Sequence, residues 1–235
     1  RGKSGTKPGS ILKSQIPLKT LDSHILKPGF VEADTVAHCG NSLSGAFIWS
    51  LTLTDVWSGW TEIRATWTKH WKAVKNQILD IHSTLPFEII GFSSDNGGEF
   101  LNQHMFDRFQ HMSIVMTRGR PYKKNDNAHV EQKNWTHVRA LFGYERFDCK
   151  ELVTLMNDLC KNEWSQLQNF FCPTLKLIKK TRIGGFIKKE YEPPKTPYQR
   201  LLESADVSLE KKKQLTTTYK TLNPFKLKEH IERQL

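Results

Sequence analysis

Between Phe30 and Phe142 the hydrophobic pattern changes period in a fixed order, and that order restricts the fold more than any other feature of the chain. Residues 30–38 read as a strand centred on Asp34. Phe47, Trp49, Leu51 and Leu53 alternate with Ile48, Ser50, Thr52 and Thr54, the two-residue period of a half-buried strand. A turn through Asp55, Ser58 and Gly59 leads to a third strand at 60–66. From Thr68 as N-cap, Trp71, Val74, Ile78, Ile81 and Leu85 recur at helical spacing until Pro86 stops them. Ile89–Ser93 is a short apolar strand ending just before Asp95. A helix from Asn102 to Met112, a fifth strand at Ser113–Thr117 and a helix at 128–142 complete the series. Three hairpin-like strands, then helix, strand, helix, strand, helix, predict a mixed α/β layer structure.

Further on, Asp148 and Glu151 have capping-box spacing, and Leu152, Leu155, Met156, Leu159 and Cys160 continue as an amphipathic helix towards Phe170. Residues 175–183 and 186–191 flank Gly184-Gly185, a hairpin signal. Thr196-Pro197 and Asn223-Pro224 each pair an N-cap with proline at the first helical position. A length of 235 residues with 37% apolar side chains is enough for a real core in one large or two small domains. No apolar run approaches the roughly 18–20 residues that span a bilayer. Arg1 stands where a Met would, so we expect a fragment with an upstream domain outside it. Cys39, Cys149, Cys160 and Cys172 form no Cys-x-x-Cys pair, which points to reduced cytosolic thiols rather than a disulfide framework or zinc knuckle.

The net charge of +11 is unevenly spread. Residues 1–29 carry net +5 and residues 172–235 net +8, whereas 30–171 carry net −2. Basic flanks around a slightly acidic centre suit a polyanion held near a cation-binding site, with solvated lysine-rich surfaces as the alternative. We divide the chain into an extended basic arm (1–29), a core (30–172) and a basic C-terminal region of hairpin plus short helices (173–235).

Three carboxylates stand out by position. Asp34 lies mid-strand, Asp95 just past a strand's end, and Glu131 in the first turn of a helix. Asp95 sits in Ser94-Asp95-Asn96-Gly97-Gly98-Glu99-Phe100, where Asn and two Gly demand a tight turn. Glu131 shares helical spacing with Trp135, Val138 and Phe142, so we expect it on a core-facing stripe, where an acid must be paired or hold a metal. A buried salt bridge is the alternative.

The blocks Phe30-Val31-Glu32-Ala33-Asp34, Ser94 to Phe100, and Pro121-Tyr122 through Asn127 to Glu131-Gln132-Lys133-Asn134-Trp135 together resemble the catalytic core of the retroviral-integrase superfamily. They are most similar to the D,D-35-E transposases of bacterial insertion sequences. The resemblance covers residues 30–200 with the triad complete and in order. It implies an RNase H-like fold with a five-stranded mixed sheet flanked by helices, and a DNA transposase or integrase that cuts and joins strands at the ends of a mobile element. It also implies Asp34, Asp95 and Glu131 as both catalytic residues and metal ligands. Asp34 would bridge two Mg²⁺ ions (Mn²⁺ substituting), with Asp95 completing one site and Glu131 the other. Water would first release a 3′-hydroxyl, which would then attack target DNA. No His/His/Cys/Cys zinc module precedes the core, so an end-recognition domain would be of another kind and lie outside this chain.

The expected partners are DNA, both element ends and target duplex, and further copies of the chain on that DNA; no membrane is expected, and the location is the bacterial cytoplasm at the nucleoid. Arg118, Arg120, Lys123 and Lys124 precede Glu131 and are candidate phosphate contacts. Lys179, Lys180, Arg182, Lys188 and Lys189 on the hairpin are candidates to follow a DNA backbone. Lys133 falls about 200° round the helix from Glu131, a solvated position. Trp49, Trp135 and Trp164 read as core. Two rival functions stand beside transposition: a metal-dependent nuclease of the same fold that never joins strands, and a domesticated DNA-binding protein without chemistry.

Overall fold

Strand β1 (Phe30–Ala37) lies at the middle of a five-stranded sheet of order β3-β2-β1-β4-β5, with β2 Trp49–Asp55, β3 Thr61–Thr66, β4 Gly91–Ser94 and β5 Val115–Arg118. This computed structural model describes residues 10–19, 25–120 and 126–235. Strands β1, β2 and β3 pair antiparallel, while β4 and β5 run parallel to β1. Helices α2 (Trp71–Thr84) and α3 (Gln103–His111) supply the two crossovers that parallel pairing requires. This is the mixed α/β layout that the period changes predict, and its five-stranded, helix-flanked sheet is the RNase H-like one that the resemblance implies.

Side-chain alternation splits the sheet into two buried faces. Val31, Ala33, Leu51 and Leu53 pack with Val74, Ile78 and Ile81 of α2 and Met105 and Phe109 of α3. On the other face Val36, Ile63 and Ala65 pack with Val138, Leu141, Met156 and Leu159. The last four come from the π-helical stretch Asn134–Arg139 that continues α4 (Ala128–Lys133), from α5 (Ala140–Phe142) and from α6 (Leu152–Leu159). A second π-helical stretch, Cys160–Trp164, joins α6 to α7 (Ser165–Phe171).

Both sheet edges are covered, which removes the exposed ladders on which strands aggregate. On β3, Asn169 accepts the Thr61 N–H at 2.9 Å and donates to its carbonyl at 3.0 Å. Asn157 does the same for Ala65, at 2.8 and 3.0 Å. Each amide replaces one residue of a missing strand. On β5, Leu18 bridges Arg118 in parallel, with Lys19 N–H on the Arg118 carbonyl at 2.8 Å. The basic arm is therefore not extended throughout: Ser10–Gln15 form a short helix, α1, and Leu12 and Ile16 bury in the core. Those two apolar residues, four apart among Lys and Ser, are the physical reason.

The C-terminal region also enters the core. The ribbon β6 (Leu177–Ile183) and β7 (Phe186–Tyr191) is followed by α8 (Pro197–Glu203), α9 (Leu209–Thr221) and α10 (Pro224–Gln234). Tyr198, Leu201, Val207 and Leu215 bury with the sheet residues. Thr196 and Asn223 cap as their proline patterns predict, Thr196 in a full capping box with Gln199. Other boundaries differ from the sequence reading. His70, not Thr68, caps α2. Asp148 and Glu151 form no capping box, because Arg146 engages Asp148 at 2.9 Å and the Cys149 thiol donates to Glu151 at 3.0 Å. Leu155 is exposed rather than core.

Fully buried His38, the residue after β1, should make the fold acid-sensitive. Its Nε2 meets Ser50 Oγ at 2.7 Å. Burial, and then the Arg139 cation, push its pKa down to about 4. As pH falls from the unfolded value of 6.5, the unfolded chain takes up this proton before the folded one, so stability is lost between pH 6.5 and 4. The loss amounts to about 3 kcal/mol at most. Thermal melts from pH 7.5 to 4.5 should show the decline, and His38→Gln should lessen it, with buried His137, also held below its ordinary value, accounting for loss that persists.

Candidate active site

The parallel pairing of β1 with β4 sets Ala33 opposite Ser94, so the next residue along each strand is Asp34 and Asp95. Asp34 is half-buried, and its Oδ1 accepts the Thr35 N–H at 2.8 Å while Oδ2 accepts Asn134 Nδ2 at 2.8 Å. Its pKa is raised to about 6 by burial first, then by the anions of Asp95 and, more weakly, Glu131; the Thr35 and Asn134 hydrogen bonds oppose the rise. The register and the Asn134 bond bring Asp95 and the helix that carries Glu131 to the neighbourhood of Asp34.

Asp95 is exposed at the head of its turn, with Oδ1 accepting the Gly97 N–H at 2.9 Å. The turn is tied to the loop after β5, since Asn96 Nδ2 donates to the Gly119 carbonyl at 3.1 Å and Gly119 N–H to the Ser94 carbonyl at 2.9 Å. With the Asn127 amide turned to match both neighbours, its oxygen accepts the Asp95 N–H at 3.0 Å. Asp95 is thus linked to the residue that opens the Glu131 helix. A Cβ at position 97 would come within 2.5 Å of Glu99 Oε2, so a larger residue there would displace the Glu99 carboxylate. Buried Glu99 in turn accepts the Thr35 hydroxyl at 3.2 Å and pairs with Lys69 at 2.7 Å.

Glu131 lies in the first turn of α4 and is exposed, not on a core stripe. Trp135 shares that outer face at 62% exposure, which corrects its assignment to the core. Trp49 and Trp164 are half-buried. The buried positions are Val130, Lys133, His137 and Val138; the helix packs a stripe one residue out of step with Glu131, and the π-helical turn at Asn134–Arg139 resets the register before Leu141. Lys133 is buried rather than solvated, with its ammonium pushed down to about 8 by burial and then by the Arg200 cation.

An all-carboxylate donor set suits a hard divalent cation. Among the described residues, however, no three or more His, Cys, Asp or Glu side chains stand close enough to hold a metal ion. Asp34 leans on Asn134, and Asp95 folds onto its own turn. Asn134, Glu99 and Glu32 are the site residues that sequence reading missed. Asn134 lies three residues after Glu131, and Glu32 two before Asp34, spacings that share a helix face and a strand face.

The DNA-contact candidates separate into two groups. Arg118 is half-buried, its Nε donating to the Lys13 and Ile16 carbonyls at 3.2 and 3.1 Å. Arg120 pairs with Asp126 at 2.6 Å. Both have structural work within the chain. Lys123 and Lys124, with Pro121 and Tyr122, lie outside the described residues. Lys179, Lys180, Arg182, Lys188 and Lys189 line the ribbon, where β7 is exposed along its whole length and Arg182 and both β6 lysines are exposed too.

Strand order and register define an RNase H-like domain, with Asp34 and Asp95 at adjacent strand ends and Glu131 on the helix that Asn134 ties to Asp34. A chain of the cryo-EM intasome of simian T-cell lymphotropic virus, in complex with PP2A regulatory subunit B56 gamma, superposes with TM-score 0.51 and 15% identity, over 77% of this chain and 72% of that one. The HTLV-2 integrase catalytic core solved with magnesium has TM-score 0.47, 17% identity and covers 63% of this chain and 92% of that one. The BIV integrase core has TM-score 0.46, 18% identity, and 74% and 94% coverage. No family model matches. Among curated proteins, the uncharacterized protein y4rM of Sinorhizobium fredii (strain NBRC 101917 / NGR234) is 37% identical over 192 residues, 81% of this chain and 55% of that protein. The chain thus spans little more than half of that relative's length. Among the described residues no helix is long and apolar enough to cross a membrane.

Proposed function

We propose that the chain carries the catalytic core of a DNA transposase or integrase, a polynucleotidyl transferase that cuts and joins DNA strands with divalent metal. The observation that carries this reading is the sheet register that sets Asp34 and Asp95 side by side, with Asn134 of the Glu131 helix bonded to Asp34. Asp34, Asp95 and Glu131 would hold Mg²⁺ or Mn²⁺, which when bound neutralises the phosphate and stabilises the entering and leaving oxygens. Asn134 orients Asp34 through its Nδ2 donor. Lys69 and Thr35 hold Glu99 beneath the Asp95 turn, so the loop keeps its shape when substrate approaches. The exposed faces of Asp95 and Glu131 leave room for a phosphodiester, and the basic ribbon offers cations for its flanks. Chemistry of this kind proceeds by direct in-line displacement, first by water and then by the released 3′-hydroxyl. We place the protein on DNA at the bacterial nucleoid, acting as an oligomer.

A nuclease of the same fold would cut without joining. Duplexes ending in a pre-cleaved 3′-hydroxyl, incubated with plasmid and Mg²⁺ or Mn²⁺, separate the two. Covalent joining is the expected result; cutting with no joined product would favour the nuclease.

A further inference from the structure

The helix that carries Glu131 is not capped by its own N-cap residue. Asn127 makes no side-chain cap hydrogen bond, and the third helical N–H, that of Val130, is accepted at 2.9 Å by Glu32 Oε2 from strand β1. Glu32 is fully buried. Its other oxygen pairs with Lys19 Nζ, and Lys19 also donates to the Asp126 carbonyl at 2.8 Å, one residue before Asn127. Two positions along the same strand face, Asp34 accepts Asn134 of the same helical run. The spacings match: two residues of strand advance about 6.6 Å, and four residues of helix advance about 6.0 Å. Strand β1 therefore grips the helix at two points, and Glu131 lies between them.

The two grips differ in kind. The Asn134 contact uses the carboxylate assigned to catalysis, so that oxygen is shared between positioning and chemistry. The Glu32 contact is remote from it and is neutralised by a lysine from the N-terminal segment. A buried carboxylate without that cation would be strongly disfavoured. We propose that Glu32 and Lys19 are positioning residues for Glu131: the strap at residues 17–19 sets the helix by holding Glu32 against the Val130 N–H and by bonding the Asp126 carbonyl. This rests on reading Asp34, Asp95 and Glu131 as the reacting site. It makes residues 10–19 part of the active-site framework rather than a DNA-binding arm alone.

The test uses the whole chain with Glu32→Gln, Lys19→Met and Lys19→Arg, and Glu131→Gln as control. Amide hydrogen exchange at residues 128–131, read without metal, reports the clamp. Mn²⁺ dependence of DNA cleavage, with kcat and the KM for DNA separated, reports the site. Glu32→Gln and Lys19→Met should speed exchange at Val130 at least tenfold. They should also raise the half-saturating Mn²⁺ concentration by about 10–100-fold, as loss of supporting shells does at metal sites, with little change in the KM for DNA. Lys19→Arg should stay near wild type in all readouts. If Glu32→Gln does not fold, the two Lys19 variants carry the same comparison. Unchanged Val130 exchange, or wild-type Mn²⁺ dependence in variants that merely melt lower, would overturn the proposal. Wild-type cleavage by Glu131→Gln would instead overturn the reading of the site, and the exchange measurement would still decide whether Glu32 anchors the helix.

Discussion

Asp34→Asn, Asp95→Asn and Glu131→Gln should each lower DNA cleavage and joining about a thousandfold or more, with DNA affinity nearly unchanged. Each amide keeps the shape of its side chain and loses the charge that would hold a cation. Stabilisation of the displaced phosphate is worth several kcal/mol in such sites, and every 1.4 kcal/mol is about tenfold in rate. The three differ in their effect on folding. Asp34 is half-buried with its pKa raised to about 6, so keeping it ionised at neutral pH opposes folding. The unfolded chain releases this proton from pH 3.8 upward, and the folded chain holds it longer, so the handicap grows from pH 3.8 to 6 and then stays constant. Asp34→Asn should therefore melt higher than wild type at pH 7.5 and not at pH 4. Assays of rate, DNA binding and melting on the same preparations separate these effects. Activity above a few per cent in Glu131→Gln would remove Glu131 from the site.

Replacing Lys179, Lys180, Arg182, Lys188 and Lys189 together by Gln should weaken duplex binding by about 10²–10³-fold at 200 mM salt, if each cation neutralises one phosphate. The salt slope should fall by about 0.9 for each phosphate no longer neutralised. A two-stranded ribbon can enter the major groove, and this one has apolar tips in Ile183 and Phe186, both exposed, beside the Gly184 turn. None of the five cations is buried, so the substitution should leave the melting temperature within a few degrees of wild type. Deleting residues 173–235 would be a poor substitute. It removes Tyr198, Leu201, Val207 and Leu215 from the core, and with them Arg200, which donates to the Ser58 carbonyl at 3.1 Å. An unchanged slope in the Gln variant would move the binding surface to the loop before Glu131.

The sheet was legible because its signals are local. Leu51 and Leu53 alternate with threonine and serine, α2 repeats at helical spacing, and Asn102 caps α3 through a bond to Met105 N–H at 3.0 Å. Asp34 and Asp95 were legible for the same reason, each marked by its place on or beside a strand. Tertiary effects were not. Nothing near Glu131 in sequence tells that α4 packs the stripe of Val130 and Lys133, which leaves Glu131 and Trp135 together on the outer face, or that a π-helical turn follows. The edge-covering amides Asn157 and Asn169 lie about a hundred residues from the strand they complete. Lys19 read as one more cation of a basic arm, because its partner Glu32 is defined only when β1 and the helix after β5 meet.

The most direct measurement is the sequencing of DNA junctions made in cells from a donor plasmid that carries the full-length coding sequence with its native flanking DNA. Wild type should give new joints between the ends of that DNA and scattered target sites, and Glu131→Gln should give none above background. Equal junction yields from wild type and Glu131→Gln would contradict strand transfer at this carboxylate site.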